Sequence, residues 1–449
     1  MSETTPPSFS QYQLAELAAP GSDTFVDGPF GSSLKSHEYV DAGVRLIQLQ
    51  NIGEGVWRDE NKKFITARKL KTLERHRAIP GDIAIAKMAD PVARACLVPP
   101  VAEQFVVVAD CIRLRLDEAR FDPGFVVRAI NSPYTRREAE KKAIGSTRVR
   151  INLSVLKTVA CLAPGLPEQQ AISRILDTLD TAIHETEVII AKLKAVKQGL
   201  LHDLLTRGID ANGELRSPQA EAPHLYKESP LGRIPKEWDA TPLRNLLSDT
   251  YRYPSYYGIN YVEDGVSEIR GELVRSDGTL SDSTVEYRHI SEKTASRFPR
   301  VRLCSDDVVM TVRGTIGKFA LVPGWLEGSV ITANLLKLSP NRTAVEPAWL
   351  MHMLLSSAFQ ERLDAACSAT TIKTIQVPAL LDIRTATPLR SEQKEIGARL
   401  SAIDRRISLE LVELEKLKIN KSGLMHDLLT GRVRVTPLLA EAEQHERST

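Results

Sequence analysis

Apolar residues recur at alternating spacings of four and three along two long stretches of the chain. The first stretch has them at Ile172, Leu176, Leu179, Ile183, Ile190, Leu193, Leu200 and Leu204. The second has them at Ile396, Leu400, Ile403, Ile407, Leu414, Leu417, Leu424 and Leu428. A sustained alternation of this kind is typical of the contact seam of a coiled coil. The sequence therefore predicts two helices of about 39 residues, each roughly 58 Å long.

Polar residues interrupt both seams at matching places. Thr186 and Lys197 stand in the first seam, and Glu410 and Lys421 in the second. Two such helices can bury their seams against each other, and an antiparallel pairing would put the globular parts of the chain at opposite ends of a rod. The polar positions are then either devices that fix the register or dock a partner, or solvated defects. The sequence leaves both interpretations open.

The second helix belongs to a copy of the first half of the chain. Glu168-Gln169 recurs as Glu392-Gln393, and His202–Thr206 recurs unchanged as His426–Thr430, in each case 224 residues later. The offset persists upstream of the helices and fades toward the start of each copy. A duplicated unit of this size indicates two similar modules with two similar targets. Their divergent early segments predict that the two targets differ.

A globular stretch of about 150 residues precedes each helix, which is an ordinary size for a domain. Short apolar runs predict strands at 45–50, 82–86, 105–108, 111–114, 307–312, 328–331 and 334–338. We predict an α+β chain: two mixed α/β globular domains separated by two long helices that pair as an antiparallel coiled coil. The predicted boundaries are 1–165 and 241–389 for the domains, 166–207 and 390–432 for the helices, 208–240 for an irregular linker and 433–449 for a tail.

The composition of the chain indicates a cellular compartment but does not indicate an enzymatic activity. The 449 residues suit several domains, and a net charge of +2 brings no polybasic tail, although local basic faces stay possible. The five cysteines lie far apart without metal-ligand spacing, which is typical of a reducing compartment. The polar N-terminus does not resemble a signal peptide, and no apolar run approaches the roughly 18 residues that span a bilayer. We therefore expect a cytoplasmic protein without membrane contact.

The motifs of common catalytic sites are missing. Gly314–Phe319 resembles a phosphate-binding loop, but Val312 stands where a Walker A motif needs glycine, and Phe319 where it needs Ser or Thr. The Asn/Asp-Pro-Pro-aromatic tetrapeptide of amino-methyltransferases does not occur either. His202 and His426 repeat, but each lies in a last helical turn beside an aspartate, where capping or packing is the expected role. We predict no catalytic residue, metal or cofactor on this chain.

Basic and amide side chains cluster near the predicted strands and loops of both domains. Asn and Gln can pair with adenine and Arg with guanine, while Lys, Ser and Thr commonly hold phosphates. Residues 146–148 and 370–373 carry such groups at matching positions of the two copies, which favours a shared role. The predicted DNA-binding candidates are Gln48, Gln50, Asn51, Lys87, Arg94, Ser146, Thr147, Arg148, Arg270, Arg313, Lys318, Thr370, Thr371 and Lys373.

The duplicated frame resembles the specificity subunit of type I restriction–modification systems. The resemblance covers nearly the whole chain. It is carried by residues 166–206 and 391–430, with Asp27–Lys35, Ser229–Trp238 and Gly145–Arg148 as further matching segments. The second domain departs from the pattern, because Tyr253–Gly258 stands in place of the Gly-Pro-Phe-Gly-Ser segment of the first.

The resemblance implies a non-catalytic, prokaryotic DNA-recognition subunit. In such proteins each target-recognition domain recognises one half of a split, asymmetric DNA sequence. The paired helices fix the spacer between the halves and dock two methyltransferase subunits. Those subunits supply S-adenosylmethionine, and restriction and translocase subunits supply ATP- and Mg-dependent cleavage. The implied docking residues are those of the two seams, above all Leu176, Ile183, Leu193, Leu200, Leu204, Leu400, Ile407, Leu417, Leu424 and Leu428.

Two other interpretations remain open at the level of sequence. A self-contained methyltransferase or nuclease would need a cofactor loop that the chain lacks, and binding of S-adenosylmethionine by the isolated chain would favour it. A coiled-coil scaffold without a DNA role would account for the helices, but it leaves two domains of about 150 residues unexplained.

Overall fold

The computed structural model describes residues 9–29, 33–88, 91–145, 149–252, 261–313, 315–367 and 375–437. The chain forms two compact units. The first unit combines Met1–Thr186 with Glu413–Thr449, and the second comprises Glu187–Val412. Each unit therefore contains one globular module, the part of one long helix that adjoins it, and part of the other long helix.

The module of the first unit is built on two four-stranded sheets and a strand pair. The sheets have the orders β2-β9-β6-β7 and β4-β3-β8-β5, and β1 pairs with β10. All neighbours are antiparallel except β3 and β8. The strands are β1 Ser10–Gln13, β2 Phe25–Asp27, β3 Val44–Ile47, β4 Phe64–Ile65, β5 Arg77–Ala78, β6 Ile83–Ala86, β7 Ala95–Leu97, β8 Phe105–Val107, β9 Cys111–Leu114 and β10 Ala160–Ala163.

The module of the second unit repeats this plan. Its two four-stranded sheets have the orders β14-β21-β18-β19 and β15-β17-β16-β20, with two further strand pairs, β11-β12 and β13-β22. The strands are β11 Tyr226–Ser229, β12 Gly232–Pro235, β13 Asp239–Pro242, β14 Leu247–Arg252, β15 Tyr261–Val262, β16 Val266–Ile269, β17 Arg288–Ile290, β18 Val308–Thr311, β19 Phe319–Leu321, β20 Val330–Ile331, β21 Leu335–Pro340 and β22 Arg384–Thr387.

The helices show the duplication most clearly. They are α1 Ala67–Thr72, α2 Pro123–Asn131, α3 Pro133–Lys142, α4 Leu153–Leu156, α5 Leu166–Thr206, α6 Glu292–Ala295, α7 Pro347–Leu355, α8 Ser357–Ala366, α9 Val377–Asp382 and α10 Arg390–Thr430. α2, α3 and α5 begin and end 224 residues before α7, α8 and α10. The repeat predicted from residue identities is thus a repeat of structural elements.

A glutamine present in both copies joins each long helix to its module. The side-chain oxygen of Gln169 accepts a hydrogen bond from the N–H of Asp122, just before α2, at 2.9 Å, and its NH₂ group donates to Pro164 O at 2.8 Å. Gln393 makes the same contacts with the N–H of Glu346, at 3.0 Å, and with Pro388 O, at 2.9 Å. Both glutamines are buried, so each satisfies backbone groups that would otherwise be stranded.

The glutamate before each glutamine is a buried acceptor. Glu392 accepts hydrogen bonds from Arg216, from the Trp238 indole N–H at 3.0 Å and from the N–H of Ile209 at 2.8 Å. Glu168 accepts in the same way from Arg434 and from the N–H of Val435. Each carboxylate therefore ties the start of one long helix to the chain that follows the end of the other.

This network corrects the prediction of an irregular linker at 208–240. The segment forms the β11–β12 hairpin, and it places Tyr226, Ile234 and Trp238 in the interior of the second unit. Two of the Gly and Pro residues that suggested irregularity, Gly232 and Pro235, are the first and last residues of β12. Gly208 has a φ of +63°, and a Cβ there would clash with the Glu392 carboxylate and the Trp238 ring, so glycine is strongly favoured.

The long helices run antiparallel within each unit, and seam lysines mark the pairing. In the first unit Lys421 of α10 pairs with Asp180 of α5. In the second unit Lys197 of α5 pairs with Asp404 of α10 at 2.5 Å. These two pairs are equivalent at the 224-residue offset. The seam lysines are therefore charge-paired register contacts and not solvated defects.

The apolar seam positions differ in how deeply they are covered. Leu176, Leu204, Leu400, Ile407 and Leu428 are buried. Ile183, Leu193, Leu200 and Leu417 are half-buried, and Leu424 is exposed. The helices thus keep apolar surface open along part of their length. None of the helices in the described part of the chain combines the length and the apolar character that a membrane crossing requires.

We expect Glu392→Ala to lower the free energy of unfolding of the second unit by about 3–5 kcal/mol, because it leaves the Arg216 charge buried without its partner. Urea unfolding followed by tryptophan fluorescence measures this, since Trp238, Trp325 and Trp349 all lie in the second unit. The matched control is Glu395→Ala, an exposed residue paired only with Arg399, with an expected loss of about 0.5 kcal/mol or less. Equal losses of unfolding free energy in the two variants would contradict the role of Glu392 as the buried charge partner of Arg216.

Candidate nucleic-acid interface

In the first module, the residues that follow one predicted DNA-binding segment contact the connection between β6 and β7. The connection between β6 and β7 carries Lys87 at one end, and Met88 forms a bridge with Arg150. The N–H of Ile151 also donates to Lys87 O at 2.9 Å. The flanks of the segment 146–148 therefore lie against this hairpin. Ser146, Thr147 and Arg148 themselves lie outside the described residues.

Two of the candidates in this module are occupied by internal contacts. Lys87 is buried, with its amine 3.1 Å from the Asp27 carboxylate. Arg94 is buried and donates to Ile52 O at 2.6 Å and to Leu49 O at 2.9 Å. Burial lowers the pKa of Arg94, as does the neighbouring Arg58. Lys87 and Arg94 thus stabilise the hairpin, and their contact with DNA stays a prediction that these internal contacts disfavour.

The three amide side chains around the 3-10 turn at 49–51 differ in how deeply they are buried. Asn51 is fully buried: its NH₂ group donates to Arg58 O and Asn61 O, both at 2.9 Å, and its oxygen accepts from the N–H of Gln48. Both N–H groups of the Asn51 amide are therefore used internally, and its contact with bases stays a prediction that this geometry disfavours. Gln48 is half-buried and accepts from Asn61 at 2.7 Å. Gln50 is exposed and remains a candidate.

Apolar residues that sequence reasoning did not select flank the basic segment of the first module. Ile144 has 70% of its surface exposed and Val149 has 38%. Arg150, next to them, pairs with Asp110. Exposed apolar side chains beside a basic loop suit contact with thymine methyl groups or base faces. In the sequence, the one feature that points to a DNA contact for Ile144 and Val149 is their position next to residues 146–148.

The equivalent hairpin of the second module connects β18 and β19. Arg313 is exposed and has no hydrogen bond or ion pair with another described residue, while Lys318 is half-buried. The Thr311 hydroxyl organises the turn: it donates to Thr315 O at 2.5 Å and accepts from the N–H of Lys318 at 3.1 Å. Arg313 is therefore displayed from an ordered turn, as a contact residue should be.

This second hairpin also contacts the helix that precedes the other matching segment in the sequence. Gln360 of α8 donates to Gly317 O at 3.3 Å, and α8 leads directly into residues 368–374. Thr370, Thr371 and Lys373 lie outside the described residues. Lys318 occupies the position of Arg94 at the 224-residue offset, yet it lacks the internal contacts that hold Arg94. The two copies thus use equivalent hairpin positions differently.

Arg270 lies on a second polar surface of the module. Its guanidinium contacts Glu272 at 2.5 Å and donates to Glu286 O at 2.6 Å, so it is held rather than freely displayed. On the neighbouring strands the guanidinium of Arg288 lies 5.1 Å from the centre of the Tyr261 ring. Both side chains are exposed, and such pairs can stack on bases. Sequence reasoning missed them because the two residues lie 27 positions apart.

A buried carboxylic acid supports this surface. The Tyr261 hydroxyl donates to Glu268 at 3.1 Å, and burial raises the pKa of Glu268 above its ordinary value. The acid is thus placed to orient the aromatic ring. Across the described residues, no group of three or more His, Cys, Asp or Glu side chains is arranged to hold a metal ion.

Comparisons with known proteins relate this fold to DNA-specificity proteins. Residues 239–419 match the family model described as the type I restriction modification DNA specificity domain. The chain is 25% identical over 293 residues to the type I restriction enzyme MjaVIII specificity subunit of Methanocaldococcus jannaschii, a match that covers 64% of this chain and 65% of that relative. It is 22% identical over 387 residues to the EcoBI specificity subunit of Escherichia coli, which covers 83% and 76%.

Solved structures agree at the level of the fold. The crystal structure of the type I restriction–modification S subunit from M. genitalium superposes with a TM-score of 0.57 at 14% identity, over 95% of this chain and 98% of that one. A chain from a structure of the type I R-M system gives a TM-score of 0.52 at 16% identity, over 96% and 100%. The predicted fold class is thereby confirmed, and the chain is related to the DNA specificity subunits of type I restriction–modification systems.

Proposed function

We propose that this chain is the non-catalytic DNA-recognition subunit of a type I restriction–modification complex, and that each module recognises one half of a bipartite, asymmetric DNA site. The observation that carries the proposal is the duplication itself. Equivalent hairpins carry different side chains: Arg94 is locked inside its module, while Lys318 is not. Two copies of one scaffold with unlike contact surfaces suit two unlike half-sites.

Two of the predicted DNA-binding residues are exposed and suit contact with a DNA duplex. Gln50 and Arg313 are exposed side chains with hydrogen-bonding groups, and each stands on an ordered turn. Arg can pair bidentately with guanine, and Gln can do so with adenine. In the sequence, the segments 146–148 and 370–373 carry further hydroxyl and basic groups. These groups together form one recognition edge per module.

The long helices would set the spacer and dock two methyltransferase subunits. Exposed apolar side chains in both units support a docking role, because surface of this kind marks protein contact sites when it is contiguous. They are Val188, Ile189, Val196, Leu409, Leu411, Val412, Ile419 and Leu424. S-adenosylmethionine, ATP and Mg would be bound by the methyltransferase and restriction subunits. Methylation of a base inside a duplex requires that the base be flipped into the partner's pocket.

The test of the proposal is a methylation map of DNA from cells that express this chain with its cognate methyltransferase subunit. We expect modified adenines in one split motif with two unlike halves and a fixed gap. A continuous motif would mean that one module alone recognises DNA. Absence of modification, with the partner active on another specificity chain, would favour the scaffold interpretation.

A change in the length of the two long helices should change the length of the DNA spacer and leave the half-site sequences unchanged. We expect that inserting four residues, about one helical turn, into both α5 and α10 lengthens the spacer and leaves both half-sites intact. The same methylation map measures the result, with four residues added to the tail after Pro437 as the control. Altered half-site bases at an unchanged spacer would contradict a spacer-setting role for the helices.

Arg313 provides a test of the recognition edge. We expect Arg313→Ala to weaken binding of the assembled complex to its site about 5- to 150-fold and to relax base preference at one position, if Arg313 contacts a base. Titration of duplexes with each half-site position substituted measures both effects. The control is Arg233→Ala, an exposed arginine paired with Glu228 in the β11–β12 hairpin. Unchanged affinity and salt dependence would remove Arg313 from the interface.

A further inference from the structure

A polar contact links a short helix of the first module to both long helices. The guanidinium of Arg128, on α2, lies 2.7 Å from the carboxylates of both Asp177 and Asp180 on α5. Asp180 is in turn paired with Lys421 on α10. The side chain of Arg128 is only 14% exposed. One largely buried guanidinium thus reaches the paired helices through a shared carboxylate.

The second module has the equivalent contact with a different residue at its centre. His352, on α7, has its Nε2 3.4 Å from the Ser401 hydroxyl and its Nδ1 3.8 Å from the Asp404 carboxylate, both on α10. Asp404 pairs with Lys197 on α5 at 2.5 Å. His352, Ser401, Asp404 and Lys421 stand 224 positions after Arg128, Asp177, Asp180 and Lys197. The contact between module and long helices is therefore duplicated. His352 replaces Arg128, and Ser401 replaces Asp177.

The two versions differ in charge. Burial opposes the charged form of Arg128, but hydrogen bonds to Asp177 and Asp180 raise its pKa above the ordinary value, so it stays a cation between two carboxylates. Burial lowers the pKa of His352, and Lys197 lowers it further against the opposing effect of Asp404. The ring is therefore neutral near pH 7, and its Nδ1 has no hydrogen-bond partner among the described residues.

The second version borders a cleft of its own unit. Lys197, His352 and Asp404 line a cleft of about 1320 Å³, bounded by α5, α7, α10 and the turn at Ser276–Thr279. The contact therefore borders open space, and at neutral pH it carries one formal ion pair where the first version carries three. Charge-assisted hydrogen bonds are roughly twice as strong as neutral ones, so the first contact resists displacement more strongly.

We infer that Arg128 and His352 are matched positioning residues that fix the orientation of each module on the paired helices, and that the first module is held more tightly than the second. The inference rests on the proposed function, because orientation acts on the spacing between the half-sites. Neither residue needs to touch DNA. A looser contact lets a module tilt, so the complex accepts spacers one base pair longer or shorter.

The test exchanges the two versions in the full methyltransferase complex. Arg128→His with Asp177→Ser gives the first unit the contact of the second, and His352→Arg with Ser401→Asp makes the opposite change. The substrate is a library with constant half-sites and a spacer varied by one or two base pairs. We expect the first exchange to raise relative methylation at off-length spacers about three- to tenfold, and the second exchange to lower it by a similar factor.

Matched variants separate positioning from simple stability. Arg128→Lys keeps a cation within reach of both carboxylates and should retain most of the native spacer preference. Arg174→His changes an exposed arginine on the same helix as the two aspartates and should have no effect. Should the first exchange fail to fold, the second still decides the question, since it adds charge pairs. Unchanged spacer tolerance in the folded exchanges, or altered half-site bases, would overturn the inference. A continuous motif in the unaltered complex would instead defeat the proposed function.

Discussion

The structure depends on the pairing of the beginning of each long helix with the end of the other. Glu168 and Glu392 lie at the two helix starts, and each is buried against an arginine from the segment that follows the opposite helix. A buried carboxylate is tolerated only when it is charge-paired and hydrogen-bonded. Each glutamate therefore requires a correctly placed partner segment, and the antiparallel pairing follows. Lys197 and Lys421 then fix the register further along the helices.

Charge pairing and burial also shape the modules of a chain that we propose to bind DNA. Some of the basic side chains seen in the sequence lie inside the modules, on carboxylates and on backbone carbonyls. Arg94 and Lys87 are examples, because their charges hold the hairpin that presents its neighbours. Gln50 and Arg313 are exposed, and each stands beside a turn that internal hydrogen bonds organise. Side chains that are held rigidly in place favour recognition of particular bases over general affinity for DNA phosphates.

Sequence reasoning recovered the fold because its signals are local or repeated. The seam of α5 and α10 has a fixed spacing, and the strands are short apolar runs, so both follow from neighbours in the chain. The role of Asn51 was not predictable, since an amide announces hydrogen-bonding capacity but not its partners, and those are carbonyl groups 7 and 10 residues away. The β11–β12 hairpin was missed for a related reason. Its stability comes from burial of Trp238 against Glu392, 154 residues further along the chain.

The division of the chain into units has a consequence for the order in which the protein can fold during synthesis. The second unit is one continuous segment, Glu187–Val412, and it can close as soon as the first half of α10 has emerged. The first unit is split, and the Glu168–Arg434 pair joins residues 266 positions apart. The apolar face of α5 that packs on the end of α10 therefore stays uncovered until residue 435 has left the ribosome. A nascent chain of this kind exposes apolar surface to aggregation and to chaperones during that interval.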